Sequence, residues 1–211
     1  MRLSWDMSQQ HFKPTTMKWV SKFPIVLASS SPRRIQLLKL LDIDFTVFSI
    51  PVDELEQHPD GPEELVLRNA ILKGQAVKEH YPDHLIIAAD TTVWIGDKAL
   101  QKPTSPEEAF QFLKTLSGRS HIVYSGVYIA SPEHTETFID TTEVTFHFLT
   151  DEEITYYIEK YKPFDKAGAY GAQDWAGLVF IKEIKGDFYN VMGLPVSKLW
   201  RHLKKYLTQE K

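Results

Sequence analysis

Residues 24–41 read PIVLASSSPRRIQLLKLL, and this stretch decides the fold. Its opening PIVLA has the composition of a buried strand, and three serines separate it from an amphipathic segment. Ser31 stands at an N-cap position and Pro32 at the first helical position, while Leu37, Leu38 and Leu41 form an apolar stripe. A strand, a short loop and a helix in immediate succession are the opening unit of an α/β fold. The alternation continues outward. FTVFSI (45–50) is expected to be a second strand, PVDELEQHPDG (51–61) a loop, and Pro62-Glu63-Glu64 the start of a helix running to about His80. LIIAAD (85–90) reads as a third, central strand, followed by a β-turn-β unit around Gly96-Asp97. Ser105-Pro106-Glu107-Glu108 reads as the capping box of a helix ending at Gly118. Residues 121–130 and 135–149 alternate like an antiparallel pair, and Thr150 caps a helix to about Tyr161. A glycine-rich loop, DKAGAYGAQ (165–173), precedes a last strand, LVFIKEI (178–184). Pro195 then opens a C-terminal helix containing Leu199, Trp200, Leu203 and Leu207.

The chain has 211 residues, 43% of them hydrophobic and 25% charged, enough apolar material for a substantial core. Residues 1–22 are polar, lack the apolar run of a signal peptide and are expected to be a loosely ordered extension to a single domain over 23–211. A net charge of -4, from 24 Lys+Arg against 28 Asp+Glu, argues against a nucleic-acid partner held by a basic surface. No apolar run approaches the roughly 20 residues of a membrane span, so a soluble, cytoplasmic protein without a membrane partner is expected. The absence of cysteine excludes disulfides, thiolate catalysis and Cys-ligated metals. Chemistry is left to carboxylates, hydroxyls, amines, imidazoles or a metal held by oxygen.

Several side chains stand in places that invite an anion. Arg33 and Arg34 lie in the first turn of a helix, where the macrodipole is positive and each cation costs roughly a few tenths of a kcal/mol. With Ser29, Ser30, Ser31 and the helix's first N–H groups they could form a phosphate cradle. Pairing with surface carboxylates is the equally open alternative. Lys73 emerges from a mostly small and apolar helix face that includes Val66, Asn69, Ala70, Ala76 and Val77, so it points into a cleft or snorkels. Lys102 is aimed by the extended backbone before Pro103. Asp90, at the end of LIIAAD, sits where α/β folds place chemistry, or else caps a turn. Glu54, beside Asp53, could supply a second oxygen for a Mg²⁺-type ion, or be one of a solvated acidic loop. His121 reads as a hydrogen-bonded core residue rather than a base. GxxxxGK[ST], GxGxxG after a strand, HExxH and GxSxG are all missing.

LASSSPRR (27–34), AADTTV (88–93), QKPTSPEEAFQFLKTLSGRSHIVYSGV (101–127) and DKAGAYGAQ (165–173) together resemble the Maf family of nucleoside triphosphate pyrophosphatases, from about Ile25 to Trp200. The resemblance implies a mixed α/β fold, a twisted sheet with flanking helices whose two lobes enclose a deep cleft, similar to the inosine triphosphate pyrophosphatases. It implies hydrolysis of a nucleoside triphosphate to the monophosphate and pyrophosphate with a divalent cation, Mg²⁺ or Mn²⁺. Asp90 would be the catalytic carboxylate and, with Glu54, would hold the metal. Ser29, Ser31, Arg33, Arg34, Lys73 and Lys102 would surround the triphosphate. Arg33, Thr91 and Gln173 match the branch similar to dTTP/UTP pyrophosphatases, whereas the 7-methyl-GTP branch carries tryptophan at the position of Arg33. A glutamine amide can serve the acceptor–donor edge shared by uracil and thymine. Thr92 and Ala172 depart from the family's usual aliphatic residues without removing a polar group. A homodimer is compatible with the resemblance. The competing readings are a non-catalytic nucleotide-binding regulator of cell division and a pyrophosphatase preferring inosine, xanthosine or 7-methylguanosine triphosphates.

Overall fold

The structure is a computed structural model and describes residues 18–210. In chain order the elements are β1 (Lys18–Ser21), β2 (Ile25–Leu27), α1 (Pro32–Lys39), β3 (Thr46–Val47), α2 (Pro62–Lys78), β4 (Leu85–Ile95), β5 (Lys98–Leu100), α3 (Pro106–Leu116), β6 (Ser120–Ala130), β7 (Thr135–Phe146), α4 (Asp151–Tyr161), α5 (Trp175–Val179), β8 (Ile181–Lys185), α6 (Phe188–Met192), α7 (Val196–Leu203) and β9 (Leu207–Glu210). Seven strands form one mixed sheet in the order β3-β2-β4-β6-β7-β8, with β5 on β4, and β1 pairs with β9 in a separate ribbon.

The architecture follows from unequal strand lengths. β2 is three residues long and pairs in parallel with the first part of β4, Leu27 standing opposite Ile87. The chain then turns away through the serines. β5 pairs antiparallel with the other end of β4, Val93 opposite Leu100. Between these contacts residues 88–92 of β4 have no strand neighbour on that edge among the described residues, while β6 pairs continuously along the opposite edge from Ile86 to Trp94. The gap splits the apolar core in two. One cluster gathers Leu27, Leu37, Ile87, Leu194 and Leu199 around α1 and α7, and the other gathers Val93, Leu113, Phe146, Tyr157 and Phe180 around α3 and α4. Two lobes bridged by the β4-β6-β7 sheet, with a cleft at the break, are the result.

α2 covers the remaining face. Val26, Ala28, Ile86, Ala88 and Tyr128 pack against Ala70 and Val77 of this helix. It lies unusually close at Gly126, where an added Cβ would come within 2.5 Å of the Val66 carbonyl oxygen. Gly126 is the register partner of Asp90. Any larger residue there would lift α2 away from the carboxylate.

Several sequence expectations are corrected. LIIAAD does not end at Asp90: residues 91–95 continue the same strand, because β6 pairs along the whole of it. FTVFSI contributes only a two-residue exposed strand, since among the described residues β3 has a partner on one side alone. Residues 178–180 belong to α5 and its C-cap rather than to the last strand. Leu207 starts β9, paired with β1, instead of continuing the C-terminal helix. Strand β1 also lies inside the stretch 1–22 read as an extension; pairing with β9 and edge-on contact of Trp19 with Trp200 order it. Residues 1–17 of that stretch lie outside the described residues. At α3 the Ser105 hydroxyl accepts from the Glu108 N–H, but the Glu108 carboxylate binds the Thr104 N–H and hydroxyl, so the reciprocal half of the capping box is shifted by one residue. The Thr150–Glu153 capping box is complete.

His121 is a core residue, 2% exposed, with Nε2 2.7 Å from the Tyr170 hydroxyl and its ring edge-on to Phe146. Burial pushes its imidazole down to about 3 from the ordinary 6.5. The unfolded chain therefore takes up a proton at His121 below 6.5 that the folded chain refuses until about 3. Its contribution is fully present above the unfolded value and is lost as the pH falls through that window, at about 1.4 kcal/mol per pH unit. Urea unfolding of the wild type and His121→Phe at several pH values between these limits should give a shallower acid loss for the variant. Parallel pH dependences would refute the assignment.

Candidate active site

A cleft of about 830 Å³ opens at the break in the sheet. Ser29, Ser31, Arg33, Arg34, Glu54, Lys73, Asp90, Thr91, Lys102 and Gln173, the residues singled out in the sequence, all line it. They arrive from separate directions: the serines and arginines from the β2–α1 connection, Glu54 from the 48–61 loop, and Lys73 from α2. Asp90 and Thr91 come from the unpaired edge of β4, Lys102 from beyond β5, and Gln173 from the glycine-rich loop.

Strand pleating sends Asp90 and Thr91 to opposite faces. Asp90 points toward α2, is 9% exposed, and receives two polar groups. Lys73 Nζ lies 2.6 Å from Asp90 Oδ1 and 2.7 Å from Glu54 Oε2, so one ammonium bridges both carboxylates. Asn69 Nδ2 donates to Asp90 Oδ2 at 3.2 Å. Lys73 thus neither snorkels nor stands free. Thr91 points the other way, its hydroxyl 2.8 Å from Ser125 Oγ and 3.2 Å from the Gly193 carbonyl oxygen. Arg34 completes that arrangement, donating from Nε to the Gly193 oxygen at 2.8 Å and from Nη2 to Thr91 at 3.1 Å. Gly193 ends α6 with φ of 113°, a backbone geometry that suits glycine. Burial pushes the Arg34 guanidinium down from its usual value, with Asp90 opposing and Arg33 adding to the shift, yet an arginine stays charged.

Arg33 reaches across the cleft. It forms an ion pair with the Asp165 carboxylate and donates from Nη2 to the Asp165 backbone oxygen at 3.1 Å, and Lys166 Nζ also binds Asp165, at 2.7 Å. Burial works to raise the Asp165 carboxyl, but the hydrogen bonds from Lys166 and Arg33 outweigh it and hold it below the usual range. The two arginines therefore answer their sequence alternatives differently: Arg33 pairs with a carboxylate, whereas Arg34 is a strut on neutral oxygens. Ser31 occupies the N-cap of α1 without a side-chain cap, and its own N–H donates to Ser29 Oγ at 3.2 Å. The first amides of α1 consequently face the cleft without a side-chain acceptor.

A family comparison decides what this cleft belongs to: the Maf-like protein family matches residues 24–206. The chain belongs to the Maf family. Curated Maf relatives agree across nearly their whole lengths. A protein of Cytophaga hutchinsonii is 50% identical over 88% of this chain and 85% of its own, and one of Bacteroides thetaiotaomicron 43% over 88% and 97%. A protein of Bacillus cereus is 44% identical over 86% of this chain and 95% of its own; all three are named dTTP/UTP pyrophosphatase. Among solved structures the Ham1 protein of Staphylococcus aureus overlaps 58% of this chain and 71% of that one at 21% identity, with a TM-score of 0.42.

Some Maf cleft residues escaped the sequence reading. Asn69, Asp165, Lys166 and Tyr170 all line the cleft. Asn69 left a trace, a polar amide in the buried stripe of α2 one turn before Lys73. Asp165 and Lys166 lay within a quoted motif, but the pairing of Asp165 with Arg33 spans 132 residues and leaves no local pattern. Among the described residues no helix is long and apolar enough to cross a membrane.

Proposed function

We propose that this Maf chain is a nucleoside triphosphate pyrophosphatase that hydrolyses dTTP and UTP to the monophosphate and pyrophosphate. The observation that carries the reading is the pair of carboxylates, Glu54 and Asp90, held by one lysine inside a cleft whose lining also carries Arg33, Arg34, Lys102 and Lys166, with Asp165 neutralised by Arg33 and Lys166. A site built only to bind anionic phosphate gains nothing from two carboxylates at its centre. The relatives' names point to the same reaction and to pyrimidine substrates.

The donor set fits a hard cation. Among the described residues no group of three or more His, Cys, Asp or Glu side chains could hold a metal alone, whereas Mg²⁺ takes one or two carboxylates together with substrate phosphates. Glu54 and Asp90 would hold Mg²⁺ or Mn²⁺, which would neutralise part of the triphosphate charge. Asp90 orients the attacking water and accepts its proton as the water oxygen bonds to the α-phosphorus and the bond to the bridging oxygen of pyrophosphate breaks. Lys73, released from the carboxylates, joins Lys102 and Arg33 in meeting the charge that develops on the departing pyrophosphate. Ser29, Ser31 and the uncapped amides of α1 contact the phosphates. Thr91, fixed by Arg34, and Gln173, exposed in the glycine-rich loop, contact the base.

The deciding experiment is pyrophosphate release across a panel of triphosphates, with Mg²⁺ and after chelation. dTTP and UTP should be cleaved fastest, and chelation should abolish turnover; equal rates on all triphosphates would reject the pyrimidine assignment. Arg33→Trp should lower kcat/KM for both pyrimidines by roughly tenfold or more, because a bidentate cation is replaced by a ring. Its fold should survive, since among the described residues the side-chain polar contacts of Arg33 all go across the cleft to Asp165.

A further inference from the structure

Asn69 is 3% exposed in the interior of α2, where asparagine is a modest helix former and a buried amide needs partners. Three of the four valences of its side chain, both donors included, are used. Oδ1 accepts the Leu55 N–H at 2.8 Å, while Nδ2 donates to the Leu55 carbonyl oxygen at 2.9 Å and to Asp90 Oδ2 at 3.2 Å. The two bonds to Leu55 fasten the irregular 48–61 loop to α2 at the residue after Glu54. The third reaches the other carboxylate, on β4. A loop of this kind has no ladder of its own to set the place of a side chain, and the Glu54 side chain is 48% exposed.

We propose that Asn69 is the positioning residue of the reaction, a single amide that sets Glu54 and Asp90 at their working separation. The proposal rests on the pyrophosphatase reading and deepens it. Asn69 occupies Oδ2 of Asp90 and leaves Oδ1 to Lys73, so the carboxylate has one orientation. No other side chain of this size offers two donors and an acceptor: aspartate keeps the shape and loses both donors, and alanine loses all three bonds. Misplacement of a reacting group by about 1 Å costs on the order of 10²-fold in rate.

The test uses the full chain and three measurements. In Asn69→Ala and Asn69→Asp, kcat for pyrophosphate release from dTTP should fall about 10- to 100-fold while KM moves less than about threefold, because the phosphate-binding cations are untouched. The Mg²⁺ concentration giving half-maximal rate should rise in both. In the wild type, amide exchange at Leu55 should be slowed by its bond to Asn69, a measurement that stands even if neither variant folds. Folded variants with kcat within about twofold of the wild type, or an unprotected Leu55 amide, would overturn the positioning role alone. A wild type that releases no pyrophosphate from any triphosphate would overturn the pyrophosphatase reading and this role with it.

Discussion

Asp90→Asn should fold, bind dTTP and turn it over about 10²- to 10⁴-fold more slowly, the range spanned by loss of a positioned general base. The substitution preserves volume, and Lys73 keeps Glu54 at 2.7 Å, so no ammonium is left without a partner. The cost to the fold is one rearranged contact: the new amide nitrogen meets a second donor in either orientation, Asn69 Nδ2 or Lys73 Nζ. A stability change of about 1–2 kcal/mol is therefore expected. Calorimetric binding of a non-hydrolysable triphosphate separates lost affinity from lost chemistry. Turnover near that of the wild type would remove Asp90 from the mechanism.

Lys73→Met should damage both stability and catalysis. Methionine retains most of the stem's volume against α2 and the sheet, so the change isolates the ammonium. Asp90 would keep its hydrogen bond from Asn69 but lose its direct ion pair, and Glu54 would lose its partner. Breaking a well-buried pair costs about 3–5 kcal/mol; the Glu54 side chain is 48% exposed, so solvent screening lowers the expectation to about 1–3 kcal/mol. Catalysis suffers more. Removing one preorganised group aimed at developing charge typically costs about 10²- to 10³-fold. Urea unfolding checks the first effect and kcat/KM for dTTP the second. A folded variant with unaltered kcat/KM would leave Lys73 only as the counterion of two carboxylates.

Strand-loop-helix order, helix starts and the β6–β7 pair were legible locally because each depends on near-neighbour patterns: Pro32 and Pro62 at first helical turns, Thr150 with Glu153, and two long β-rich runs joined by the short Ser131-Pro132-Glu133-His134 turn. The short edge strand β3, the helix at 175–179 and the β1–β9 ribbon were not. The strand and the ribbon are decided by which distant segment supplies, or fails to supply, a hydrogen-bonding partner, whereas the helix is started by the Asp174 side chain accepting the Ala176 N–H. Asp90 shows the same limit at one residue. Its chemistry stood out at the end of an apolar run, but its placement in the middle of an eleven-residue strand, open on one edge, follows from where β2 stops and β5 begins.

The sequence by itself determined the α/β class, the family and many of the cleft residues, because residue type and short-range spacing carry that information. Only the tertiary structure decided the partnerships: Lys73 between Glu54 and Asp90, Arg34 on Gly193 and Thr91, Arg33 on Asp165, and Asn69 joining loop to strand. Charge and hydrogen-bonding capacity belong to single residues, but what each satisfies depends on distances between segments far apart in the chain. Here those distances are set by strand pairing and by the close seating of α2 at Gly126.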